Sequence, residues 1–237
     1  MAQKAKPARV VKAARQAEVR LPPLRPFEGV EGLGGLGGGG LEPDGDYDGV
    51  EFRDLDLGGQ DAAGALFMDS AMVGCGVGET RLARARFVDS VLTELRGVGT
   101  DLAEASLRDV EIVDARLGGV QLHGGVLERV VVRGGKIDYL NLRKARLRDV
   151  VFDGCVLVEP DFGAASLERV EFRGCVVRGA DFTGTRMKDV DLRGAAELEI
   201  ARGIECLAGA VISPGQLMEL AAVFAAGVGV RVAGVGE

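Results

Sequence analysis

The chain has 237 residues, 29 Lys and Arg against 36 Asp and Glu for a net charge of −7, and is 47% hydrophobic, enough for one substantial core or two small ones. Aromatic residues make up 5%, Trp is absent and Gly reaches 37, which points to an aliphatic core joined by many turns. Cys75, Cys155, Cys175 and Cys206 lack CxxC spacing, no cleavable apolar leader is visible, and no apolar run approaches the roughly 20 residues of a membrane span; a reducing cytoplasm is expected and insertion in a membrane is not.

Residues 1–26 read as a basic N-terminal arm, with seven basic residues against Glu18 alone. Within it, ARVVKAARQAEVRL at 8–21 has the spacing of a short helix, Val10, Ala14, Ala17 and Leu21 sharing one side, and PPLRP ends it. Residues 27–49 read as a Gly-rich acidic linker; residues 27–50 hold six acids and no base. GLGGLGGGG at 32–40 lacks GxxxxGK[ST] and follows no predicted strand, so it is a flexible segment rather than a phosphate loop.

From Phe52 the apolar residues recur at a step of five, which fits neither the 3.6 of a helix nor the 2 of a strand. Phe52, Leu57, Ala62, Phe67, Met72 and Val77 open a frame that runs unbroken to Leu192, and only Ala62 and Gly97 in it are too small to fill a core. Two residues before each stands a small or β-branched residue, such as Ala65, Cys75, Ala85, Val110 or Val130. ADFTG at 180–184, with the looser ASLRD, ARLRD and CVLVE, shows the unit. This pattern resembles the pentapeptide-repeat family, whose unit is a small residue, Asp or Asn, Leu or Phe, then two polar or small residues. The resemblance covers residues 50–194 and implies an all-β fold, a right-handed quadrilateral parallel β-helix in which each pentapeptide makes one side.

The sequence carries its own check on the number four. At twenty-residue steps, Val110, Val130, Val150, Val170 and Val190 share one inward column, and Ala65, Ala85, Ala105, Ala145 and Ala165 another. Coils of twenty residues would keep these columns separate and stack their apolar faces into one core, a rod of about seven coils and about 35 Å at roughly 4.8 Å per strand.

Outward, Arg108, Glu128, Arg148, Glu168, Lys188 and Asp109, Arg129, Asp149, Arg169, Asp189 form two files of alternating sign, expected to pin the coil register. Asp61, Arg81, Asp101, Gln121, Asn141, Asp161 and Asp181 form a third, flanked by small residues such as Ala63 and Ala103. Family proteins that protect DNA gyrase are acidic rods, usually dimeric, that imitate duplex DNA. The resemblance therefore makes Asp61, Asp101, Asn141, Asp161 and Asp181 the partner-binding candidates and a type II topoisomerase the candidate partner. Residues 51–192 hold 24 acids and 19 bases, well below the charge density of a duplex, one per roughly 1.7 Å, and the band Arg129, Arg133, Lys136, Arg143, Lys144, Arg146, Arg148 is basic. Val131, Val151, Val156 and Val176 stand at outward positions and suggest an apolar contact patch.

Residues 195–237 read as a C-terminal cap. SPGQLMELAAVFAAG supplies a helix over about 214–226, with Ser213 as N-cap, Pro214 at its first position, Gln216 completing a capping box and Gly227 ending it. Leu217, Leu220 and Phe224 form its apolar stripe, facing either the rod's last coil or, as the resemblance suggests, a twin subunit in a homodimer. The cysteines read as small buried residues, and His123 has no catalytic or metal-ligand constellation around it, so no enzyme, cofactor or small-molecule substrate is expected. Contact with nucleic acid is expected only through the basic arm. Two functions remain: a non-enzymatic binding protein modulating or protecting gyrase as a DNA mimic, or an interaction scaffold using the arm and the valine patch.

Overall fold

The computed structural model describes residues 40–234; the basic arm and most of the linker expected before the rod lie outside the described residues. The chain winds as the expected four-sided parallel β-helix. Successive coils pair at a displacement of twenty residues: Leu107 pairs with Leu127, Leu127 with Leu147, and Leu147 with Leu167. In chain order, the first side of each coil is built by strands such as Asp46–Asp48 and Leu66–Met68, the second by Glu51–Arg53 and Ala71–Val73, and the third by Arg96–Val98 and Arg116–Gly118. The fourth is a column of bridges from Asp61 and Arg81 to Asp181. Four eight-residue strands, Ser106–Val113, Val126–Arg133, Arg146–Asp153 and Ser166–Arg173, run from the first side round the corner onto the second.

Each corner needs a left-handed backbone, which glycine meets without strain and other residues meet at a cost. The non-glycine corners are almost all Asp, Glu, Arg or Lys, with φ from 46° at Asp69 to 59° at Arg84. Most polar side chains at the corners keep their ends in water, Asp149 under Arg169 being buried, while the residue after each corner turns inward. Those inward small residues close the core without leaving polar groups unpaired. The Thr80, Thr100 and Thr185 hydroxyls donate to the carbonyls of Leu57, Val77 and Phe162 at 2.7–2.9 Å, and the Cys155 thiol donates to Val132 O at 3.0 Å. Cys75, Cys155 and Cys175 are buried free thiols, as expected of small core residues.

Along the axis the large residues stack on their own kind. Phe67 lies on Phe87 with centroids 4.6 Å apart, Phe152 on Phe172 at 4.9 Å and Phe162 on Phe182 at 5.1 Å. The winding starts before residue 50: Asp46–Asp48 pairs with Leu66–Met68, and Leu41 and Tyr47 are in the core, so residues 40–49 are not the end of a linker but part of the first coil. At Gly97 the core lacks a side chain, and Leu117 in the next coil is left half-buried beside a surface hollow.

The alternating charges make register clamps. Arg129 grips Asp109 with two bonds of 2.5 and 2.6 Å and reaches Glu128 at 2.8 Å; Arg169 repeats this two coils on with Asp149 and Glu168. The Lys188 ammonium, one coil on, holds the Glu168 carboxyl below its ordinary range, and within a single coil the Arg193 guanidinium does the same for Asp191. A carboxyl that titrates lower when folded stabilises the fold above its unfolded value, and that contribution disappears as the pH falls through the folded one. The melting temperature is therefore expected to hold from neutral pH to about 5 and to fall below the carboxylate range near pH 4, measurable by circular dichroism in a pH series; a flat profile down to pH 3 would refute a stabilising contribution from the Glu168 and Asp191 pairs.

The expected valine patch is not presented as such. Val131 and Val151 are buried and Val156 and Val176 half-buried; each sits in register between a neighbour on the coil above and one on the coil below, which removes much of its side chain from water.

At the C-terminal end the expected helix is two short ones, α1 (Pro214–Glu219) and α2 (Ala221–Gly227), broken at Leu220. The Ser213–Gln216 capping box is formed, and the Gln216 amide also donates to Leu192 O at 2.7 Å, tying the cap to the last full coil. Leu220 is buried in the rod's own core and Phe224 packs against it, whereas Leu217 is 51% exposed.

Candidate functional site

The fourth side brings the five partner-binding candidates into one straight file. Asp61, Asp101, Asn141, Asp161 and Asp181 bridge in register through Arg81 and Gln121, at the strand spacing of about 4.8 Å. All five are half-buried, because one side-chain oxygen of each is engaged locally. Asp61, Asp101, Asn141, Asp161 and Asp181 accept from the backbone N–H two residues on, at 2.8–3.1 Å. These are Asx turns, which is why Asp or Asn stands there: the short side chain reaches the amide and fixes the bend toward the next corner.

The remaining oxygens set the surface field, and arginines interleave with them. Arg81 lies 3.4 Å from Asp61, Arg143 3.1 Å from Asp161 and Arg202 3.7 Å from Asp181. The Asn141 amide donates to Gln121 at 2.8 Å. Asp101 has no ion pair among the described residues. The basic band seen in the sequence is likewise divided: Arg129, Arg133, Lys136, Arg143 and Arg148 all lie within 4.0 Å of a carboxylate. The rod thus carries a finely alternating field rather than one continuous negative face.

Beside the file, at the corner between the third and fourth sides, is a hollow of about 530 Å³ lined by Tyr139, Asn141, Glu159, Pro160, Asp161, Gly179, Asp181 and Arg202. Tyr139 was not among the expected site residues. It is 58% exposed, and it is the one aromatic among the left-handed corner residues, at φ 55°. A bulky side chain there costs about 1–2 kcal/mol with no hydrogen bond from the hydroxyl among the described residues to offset it. The sequence held the signal: within the five-residue frame the corner position otherwise takes Gly, Ala or a charged residue.

The other end offers apolar surface. Leu217, Met218, Val228, Val230 and Val232 are all more than half exposed around the cap, and a hollow of about 350 Å³ lies between Phe224, Ile204 and Leu207. Among the described residues no cluster of His, Cys, Asp and Glu could hold a metal ion, and no helix is long and apolar enough to cross a membrane.

The family model described as pentapeptide repeats matches in 8 copies, with residues 161–195 as the matched segment. No curated protein matches. Among solved structures, the chain is similar to HetL, a pentapeptide repeat protein involved in heterocyst differentiation regulation in the cyanobacterium Nostoc sp. strain PCC 7120: 20% identity over 75% of this chain and 93% of that one, with a TM-score of 0.33. It is also similar to QnrB1, a plasmid-mediated fluoroquinolone resistance protein, in a trypsin-treated form: 17% identity over 81% of this chain and 99% of that one, with a TM-score of 0.34.

Proposed function

Since the chain belongs to the pentapeptide-repeat family, we propose that it acts without catalysis, as a stiff rod whose fourth side docks on a basic surface of a protein partner, a type II topoisomerase being the most concrete one. The observation that supports this is the in-register file Asp61, Asp101, Asn141, Asp161, Asp181, four carboxylates and one amide on one straight side next to an exposed aromatic. A protein groove that binds duplex DNA is lined with cations at intervals, and carboxylates spaced at intervals along a rigid side meet it with little loss of conformational entropy. The exposed Leu217 and Met218 on the cap suit an apolar contact with a second copy, which would double the length of the row.

The Asx turns allow a clean test. Asn keeps the turn-closing oxygen, as Asn141 does at 3.1 Å from the Arg143 amide, but carries no charge. The fourfold variant Asp61→Asn, Asp101→Asn, Asp161→Asn, Asp181→Asn is therefore expected to fold like the parent and to lose its effect on gyrase. Supercoiling would be measured with and without a fluoroquinolone. Protection or inhibition by the parent at micromolar concentration, weakened about tenfold or more in the variant, supports the proposal; no effect of the parent, or an equal effect of the variant, refutes it. The scaffold alternative loses its valine patch to burial, and its basic arm lies outside the described residues.

A further inference from the structure

We infer that the notch at Tyr139 is a receptor for an arginine side chain on a basic segment of the partner. This rests on the protein-binding function above and specifies the chemistry of its contact. Tyr139 and Glu159 occupy the same corner of adjacent coils: Asp138 pairs with Val158, and the Tyr139 amide donates to Val158 O at 2.8 Å. The next residue in that corner file is Gly179, which has no side chain and leaves an open step beside Tyr139 and Glu159. Both residues are exposed, and Glu159 has no cationic partner among the described residues. The neighbouring Asp161 and Asp181 are already engaged by Arg143 and Arg202.

An exposed ring held at an unfavourable backbone conformation, one coil from a free carboxylate, matches the needs of a guanidinium. The ring face attracts the cation and the carboxylate accepts its fork of N–H donors. Backbone strain at a surface aromatic is also where a functional rather than a packing role is to be sought. A lysine would gain the charge attraction but neither the stacking nor the fork.

The chain lacks Trp and has two tyrosines, of which Tyr47 is in the core and Tyr139 is exposed, so a change in tyrosine emission on adding a ligand reports chiefly on the notch. A short arginine peptide free of aromatics, the same peptide with citrulline, and one with lysine would be titrated into the full chain, following tyrosine emission and the amide resonances of Glu159 and Gly179. The arginine peptide is expected to perturb both and to bind about tenfold more tightly than the citrulline peptide, with lysine in between. Tyr139→Phe should keep binding within about threefold, since the ring face remains. Tyr139→Asn and Glu159→Gln should each weaken it, and Tyr139→Asn should at the same time melt higher, because Asn tolerates the left-handed corner. Equal binding of the citrulline peptide, perturbations confined to other residues, or full binding by Tyr139→Asn would overturn the inference. Gyrase modulation surviving unchanged in Tyr139→Asn would remove the notch while sparing the proposed function; arginine binding at the notch without any gyrase effect would do the reverse.

Discussion

Phe172→Ala is expected to cost about 3–5 kcal/mol, the range for emptying a buried aromatic site that cannot collapse. Phe172 is 1% exposed, stacked on Phe152 at 4.9 Å and edge-on to Phe162 at 6.2 Å. The strand that carries it is fixed on one side by a seven-residue register with Arg146–Asp153 and on the other by pairing to residues 186–188 and 191, so the walls of the void are held apart. In a solenoid each coil rests on its neighbours, and the damage should spread to the coils on either side rather than to the whole rod. Urea denaturation would give the loss, and hydrogen exchange should show it concentrated near residues 147–153 and 187–192. Phe172→Leu should cost clearly less, because the same column already holds Leu92 and Ile112. Equal losses for the two substitutions would mean that the stack contributes little.

The second large effect concerns backbone. Gly135 has φ 70°, and a Cβ there would meet Ala115 O at 2.2 Å and Ala115 N at 2.6 Å, atoms of the adjacent coil that cannot move without breaking the ladder. Gly135→Ala is expected to destabilise by more than about 2 kcal/mol. Two nearby glycines separate the contributions. At Gly134 the added carbon would meet the Asp114 carboxylate at 2.1 Å, the end of a side chain that can turn away, and at Gly154, φ 66°, it would meet nothing within 4 Å. Only the left-handed strain remains at Gly154, about 1 kcal/mol. Thermal melts of the three alanine variants should therefore rank 135 as the worst, then 134, then 154, and any other order would refute the steric account.

The winding was legible because each lap repeats the same demands: one large apolar residue per side and one small residue after each corner. The capping box at Ser213 and the candidate file were legible for the same reason, since both depend on short, fixed spacings. Contacts between adjacent coils were legible where the partners share a column, as Arg129 and Asp109 do, but not where they cross between columns. Arg143 reaches Asp161, eighteen residues on and one column over, and Arg202 reaches Asp181 from beyond the unbroken frame, so within the file's own column only the Arg81–Asp61 pair foretells its neutralisation. Tyr47 joins the stack below Phe67 although the stretch around it is rich in Gly and Asp, because the core of the first coil needs one filled position even where the outward residues read as linker. The single expected helix broke at Leu220, whose side chain turns into the rod while the chain ahead bends across its end.

The displacement of twenty between paired residues, kept in the described strands except where Val176–Asp181 meets Glu197–Arg202, has an evolutionary corollary. Duplicating or deleting a full lap lengthens or shortens the molecule while leaving every vertical alignment intact. Adding a lone pentad instead turns everything downstream by a quarter revolution, carrying the carboxylates of Asp161 and Asp181 onto the neighbouring flank although no strand has been lost. Growth by laps conserves the surface, and growth by pentads shuffles it.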